Sequence, residues 1–297
     1  MLCGCRHKEL CYDHPHSREV EVRFHWGYDV QPAKAMRVLC YPLSHSRSEP
    51  YGFDIGNSRG GLIDLPAGAY EVLAYSLDTE NIIIEGESDA KLLQAYTREL
   101  TWARSRRGSR DALPIRTVDA PDYMARAYVP QTLIRSTAER QYIDLYPEEA
   151  VCRFTLEVHG IRGLSFVRQS RVSLSHVAPT LFLKDMRLDG LASEALFDTR
   201  LEGDVLRGQF NIFGLFPLDT KAPKYELTLF FITADKNVYA TYDVSEQIKE
   251  AQRAQGHIRH VHLVLSVDIQ IAKPIGNGGG FRPEVDDWQA IEKDIDV

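Results

Sequence analysis

From Ile258 to Ile271 every second position is apolar: Val261, Leu263, Leu265, Val267, Ile269 and Ile271 alternate with a polar set that includes His260, His262, Ser266 and Asp268. Side chains alternate across an extended chain, so this register defines a strand with one buried and one wet face. The same period recurs along the chain. Val20, Val22, Phe24 and Trp26 oppose Glu19, Glu21, Arg23 and His25. Met36 to Tyr41, Leu62 to Leu65 and Tyr70 to Leu77 follow in the first half, and Val151 to His159, Arg171 to His176, Leu206 to Phe213 and Tyr225 to Thr233 in the second. Turn signals such as Arg59-Gly-Gly61, Pro66-Ala-Gly-Ala69 and Gly160-Ile-Arg-Gly163 punctuate these runs roughly every eight to twelve residues, the spacing of a β-sandwich. The expected fold is all-β with short helices.

Two helices are expected. Ser88 is placed to cap a short one holding Leu92, Leu93 and Tyr96, and Asp243 with Glu246 three residues on forms a capping box opening a helix from Val244 to Gln255, stopped by Gly256. A chain of 297 residues is long enough for about two domains. The pattern loosens from Val129 to Glu139 and then restarts, which places the boundary near Thr137: a tether over 1–18, one sandwich over 19–137 and a second over 138–297.

The first sixteen residues hold three cysteines and three histidines without strand or helix periodicity. Leu2-Cys3-Gly4-Cys5 has lipobox spacing, with a small residue before the cut and a thiol after it to carry the diacylglycerol, so Cys5 is the expected lipidation site. The apolar segment that normally precedes such a site is missing, so either the sequence is trimmed or its true start lies upstream. A zinc site on these cysteines and histidines, or a plain solvated tail, are the other readings of this stretch. No run approaches the roughly 20 apolar residues of a membrane helix, so attachment is expected through the lipid alone. A net charge of −7 argues against nucleic acid as partner. Cys40 and Cys152 sit in strand-like runs and read as buried small hydrophobes, not as a disulfide framework.

No catalytic constellation stands out: there is no nucleophile elbow, P-loop, zincin motif or dinucleotide fingerprint, and no catalytic, cofactor or metal residue is assigned. Gly276-Asn-Gly-Gly-Gly280 reads as a turn before an acidic tail, and Arg104 to Arg110 as a solvated loop. His257, His260 and His262 could in principle chelate a metal, since alternate strand residues share a face, but on a solvated face they read as ligands of nothing. The adjacent pairs Glu148-Glu149 and Asp286-Asp287 would point apart and serve solubility.

Cys5-Arg-His-Lys-Glu-Leu-Cys-Tyr-Asp-His-Pro-His16, Leu65-Pro-Ala-Gly-Ala-Tyr70, Asp78-Thr-Glu-Asn81, Ala95-Tyr-Thr-Arg98, Ala120-Pro-Asp122 and Gly280-Phe-Arg-Pro-Glu-Val-Asp-Asp-Trp288 together resemble a Bacteroidales lipoprotein family of unassigned function, itself similar to fimbrial anchor and fimbrillin-like proteins. The resemblance implies two transthyretin-like β-sandwiches in tandem. It also implies a non-enzymatic outer-membrane lipoprotein, a fimbrial anchor or minor adhesive subunit that contacts fimbrial subunits by strand addition. Basic Arg6, His7 and Lys8 depart from the acidic residues often found after the lipidated cysteine of surface-exported relatives, so a surface and a periplasmic location both stay open. A carbohydrate-binding sandwich and an enzyme with a diffuse site are the alternative functions. The tail from Lys273 carries Val285, Trp288 and Ile291, enough to dock on a partner or to return to its own second domain as an edge strand.

Overall fold

The structure is a computed structural model that describes residues 17–44, 49–100, 116–137, 139–218, 224–234, 236–255, 259–274 and 288–290. The alternating segments pair as their polarity dictates and gather into two units. One comprises the chain up to Leu77 together with Ala127–Pro147; the other comprises Asp78–Arg126 together with the chain from Glu148 onward.

Each unit is a sandwich on seven principal strands. The first unit uses β1 (Ser17–Phe24), β2 (Met36–Pro42), β3 (Tyr51–Ile55), β4 (Gly60–Pro66), β5 (Gly68–Ser76), β6 (Ala125–Ile134) and β7 (Gln141–Leu145). The second uses β8 (Cys152–Arg162), β9 (Gln169–Val177), β10 (Ser193–Asp198), β11 (Val205–Ile212), β12 (Glu226–Ile232), β13 (Asn237–Asp243) and β14 (His260–Gln270). Strand order in the first is β4-β1-β7 facing β3-β2-β5-β6; in the second it is β11-β8-β14 facing β10-β9-β12-β13. The second half thus repeats the first strand for strand. In both, the opening strand is flanked by an antiparallel fourth and a parallel seventh strand, β1 with β7 and β8 with β14.

The inward positions fill two separate cores. Val20, Val22, Phe24, Ile63, Leu65, Ile143 and Leu145 meet Met36, Val38, Cys40, Val72 and Ala74 in the first unit. In the second, Phe154, Leu156, Val158 and the apolar face of β14 meet Val172, Leu174, Leu227, Leu229 and Phe231. Phe210 stacks on Phe197 at 3.6 Å and on Phe154 at 5.1 Å. Truncating one such buried phenylalanine to alanine costs about 3–5 kcal/mol.

Three expectations change. The helix after Ser88 is a hairpin: Ile82–Glu85 pairs with Gln94–Thr97, Ile83 opposite Tyr96. A single turn closes the loop, with Leu92 and Leu93 N–H both donating to Asp89 O, and Gly86 holds φ +82, where a Cβ would meet Leu92 O. Strand pairing overrides the local cap. The segment Gly160 to Gly163 is not a reversal, because β8 runs on to Arg162 through a bulge against β14. There Gly160 takes φ +86, and a Cβ would lie 1.9 Å from Val267 O.

The boundary near Thr137 also gives way. Thr117–Asp119 pairs in parallel with β10 and Gln94–Thr97 pairs with Thr180–Phe182, so 78–126 clusters with the C-terminal half. Gln141–Leu145 instead closes the first sandwich on β1. No single cut separates the units. The helix expected from Val244 is present as α1 (Ser245–Gln255), and β14 carries its alternation without a break.

Cys40 lies in the first core, while Cys152, expected to be buried, is half-buried at the start of β8; neither forms a disulfide. Burial pushes both thiols up to about 12, the neighbouring Glu149 carboxylate adding to the effect at Cys152. The thiolate is the nucleophile, so at pH 8 both should react with a maleimide at least roughly 100-fold more slowly in the native protein than in denaturant. Mass mapping after timed labelling checks this; fast native modification of either cysteine would contradict the placement.

Candidate functional site

The second unit presents a polar outer face on β11-β8-β14 and two sheet edges. Thr155, Glu157, Arg207 and Asn211 project outward, and with Arg200 and Glu202 from the short strand Arg200–Glu202 they line an open groove of ≈ 570 Å³. Arg207 bridges Glu157 at 3.4 Å and Glu202 at 3.2 Å.

His260 and His262 stand on this face but turn to different partners. His262 Nδ1 lies 2.8 Å from Thr155 Oγ1, and His260 Nε2 lies 3.1 Å from Glu149 Oε2 and accepts from Arg153 Nε at 3.0 Å. Among the described residues no group of three or more histidine, cysteine or carboxylate side chains is placed to hold a metal ion. Glu148 and Glu149 do point apart, with unequal fates. Glu148 pairs with Arg126 at the surface (2.7 Å), whereas the Glu149 side chain is only 6% exposed and is clasped by Arg153 at 2.6 Å. A carboxylate so buried needs such a partner, so Glu149 holds structure and does not serve solubility.

The edges are more informative. β14 ends its sheet, and a terminal strand offers backbone groups to any extended chain. Here α1 covers it with two glutamines. Gln247 Nε2 donates to Val264 O (3.0 Å) while its Oε1 accepts from Val264 N–H (2.9 Å). Two turns later Gln255 Nε2 donates to His260 O (2.6 Å) while its Oε1 accepts from His260 and Arg259 N–H, both at 3.1 Å. Each side-chain amide stands in for a residue of a neighbouring strand.

The helix is set for this by its start. Asp243 Oδ1 accepts from Ser245 N–H at 2.9 Å. Burial alone would raise the Asp243 carboxyl, but hydrogen bonds from Ser245 and Lys224 hold it below the usual value. Ile248 anchors the inner face of α1 in the core. Glu246, expected to close a capping box, pairs with Lys249 at 2.8 Å. On the opposite sheet, Trp288–Ala290 lies parallel to β13, so this part of the tail returns to its own unit as an edge strand.

Cys5, the other cysteines and histidines of the opening, His257, Arg104 to Arg110, Gly276 to Gly280, Val285, Asp286-Asp287 and Ile291 lie outside the described residues. Among the described residues no helix is long and apolar enough to cross a membrane. Sequence reasoning missed the glutamine clips, because a surface glutamine carries no signal beyond an eight-residue spacing that places two of them on one side of a helix.

Two β-sandwiches built on one strand plan define the class of fold. The fold is that of a Bacteroides ovatus adhesin candidate of known structure, which superposes with a TM-score of 0.65 at 22% identity over 93% of this chain and 100% of that one. The fimbrial anchor protein Mfa2 from Porphyromonas gingivalis superposes with a TM-score of 0.52 at 14% identity over 84% of this chain and 90% of Mfa2. The chain belongs to the family described as domain of unknown function DUF5119, whose model matches residues 4–198. A curated relative from Bacteroides ovatus, provisionally named fimbrium anchoring subunit Fim4B, is 27% identical over 172 residues, 56% of this chain and 47% of the relative. The chain therefore spans about half the length of the curated relative it matches.

Replacing both Gln247 and Gln255 by alanine should lower stability by about 1–3 kcal/mol and expose the β14 edge to pairing with a second copy. Denaturant titration and sedimentation velocity of the double variant check both effects. An unchanged midpoint with a purely monomeric boundary would show that the clips do not protect the edge.

Proposed function

We propose that this chain is a non-enzymatic, lipid-anchored subunit of the cell envelope that holds a fimbria at the outer membrane. The reading is carried by the similarity to a curated relative named for fimbrium anchoring, supported by a fold shared with Mfa2. In this reading Cys5 carries the lipid, because among the opening cysteines it alone has glycine before it and leucine at −3. The sandwiches transmit load from that lipid to a fimbrial subunit, which adds an extended strand to a sheet edge through backbone hydrogen bonds. Among the described residues, the second unit's terminal strands other than the α1-covered β14 are only two to four residues long, whereas β3, β4 and β7 of the first unit run for five to seven, so the incoming strand is expected on one of those three.

Cys5→Ser in the full-length precursor should abolish incorporation of labelled palmitate, move the protein to the soluble fraction and release fimbriae into the medium. Fractionation with immunoblotting for the protein and for the fimbrial stem reads all three. Retention of full-length fimbriae on cells whose Cys5→Ser protein is soluble would overturn the anchoring role. Persistence of the label would overturn the assignment of Cys5.

A further inference from the structure

The outer face of the β4-β1-β7 sheet carries a patch that the first core does not require. Alternation puts Glu19, Glu21 and Arg23 on the wet side of β1 with His25 following, and Tyr142 and Asp144 on the wet side of β7 with Tyr146 following. The parallel register sets Glu21 beside Tyr142 and Arg23 beside Asp144, so the two outer rows fuse into one surface.

Its planar groups are locked together. The Arg23 guanidinium lies 3.5 Å from the centroid of the Tyr142 ring, and its Nε sits 3.1 Å from Glu21. One turn of the pleat further on, the His25 ring stacks on Tyr146 with centroids 4.9 Å apart at 21°, while its Nε2 lies 2.7 Å from Asp144. Even so, Tyr142 and Tyr146 remain 40% and 68% exposed, and Leu62, opposite Glu21 on β4, is 57% exposed.

The charges narrow the class of partner. Arg23 and Arg140 both pair with Glu21, and the His25 imidazole bonds Asp144, so both guanidinium groups are already answered within the patch. Glu19 and Asp64, opposite one another at its far end, add negative charge that repels acidic polymers. What the face still offers is rigid aromatic rings beside carboxylate oxygens and N–H groups with unused hydrogen-bonding capacity. An aromatic face receives the C–H side of a pyranose ring, and paired carboxylate and guanidinium groups accept from and donate to its hydroxyls. Because neighbours already fix the rings, little freedom is lost on binding.

We propose that this face binds a neutral polysaccharide. Tyr142 and Tyr146 are the stacking residues, and Glu21, Arg23, His25 and Asp144 are the hydroxyl-binding groups. Four extended residues separate the two tyrosines by about 13 Å, so the site takes a ligand of more than one sugar ring. The inference is independent of fimbrial anchoring, since it concerns a surface of the first unit and not the lipid or a sheet edge.

The full chain is tested on an array of neutral oligosaccharides (glucans, mannans, xylans and galactans) beside uronic-acid and sulfated glycans. The best neutral binder is then titrated calorimetrically. Tyr142→Ala and Tyr146→Ala are each expected to weaken binding at least 10-fold, while Tyr28→Ala, an exposed tyrosine in the turn after Gly27, leaves it unchanged. Denaturation midpoints confirm that the variants are folded. Should Tyr142→Ala disturb β7, Tyr146→Ala still decides the matter, because Tyr146 lies beyond the strand end. No neutral glycan bound, selection of acidic glycans alone, or affinity that survives Tyr146→Ala would each overturn the proposal.

Discussion

Both sandwiches depend on one pairing: the opening strand of each unit is locked by a parallel partner from the end of that unit. Thr155 and His262, bonded across β8 and β14, are 107 residues apart, and His25 and Asp144, bonded between the end of β1 and β7, are 119 apart. Parallel partners cannot be joined by a tight turn, so everything between them must be threaded first. The loop-closure entropy is offset only when the facing sheet covers the apolar sides of both strands at once. Each core is therefore all or nothing, and the outer faces, which carry none of that burden, can diverge in chemistry.

That division explains the surfaces. On the second unit the outer face is polar, Glu149 is buried against Arg153, and the edge of β14 is occupied by amide side chains. On the first unit the equivalent face carries aromatic rings held by Arg23 and His25. Two copies of one strand plan thus carry different exteriors. The structural neighbours share the fold, which by itself dictates neither the tyrosine patch nor the glutamine clips.

How much could be read in advance follows from which strands have one clean face. β1 and β14 alternate without interruption, β8 does so as far as the bulge at Gly160, and the structure places them where the pattern does. β7 went unread because Tyr142 and Tyr146 are apolar in composition yet point outward, which fills in the polar positions that would have marked the period. The same residues are the ones on which the saccharide proposal rests. β3 is exposed along most of its length and has too little buried surface to leave a signature. The segment after Ser88 shows the opposite failure, a sound local helix cap overruled because Gln94–Thr97 pairs with Ile82–Glu85 on one side and with the distant Thr180–Phe182 on the other.

The excursion of 78–126 into the second unit has a consequence for biogenesis. A chain emerges from its N-terminus, and Thr117 leaves the ribosome or the export channel 77 residues ahead of Glu194, the strand partner it pairs with (194 − 117). The first sandwich is complete once Leu145 is out, while Thr117–Asp119 and Gln94–Thr97 still wait for β10 and Thr180–Phe182. Unpaired strands in that interval are ready templates for mispairing between nascent chains. For a chain that folds as it emerges, the 78–126 excursion is therefore the stretch that waits longest for its partners, and mispairing is expected to begin there.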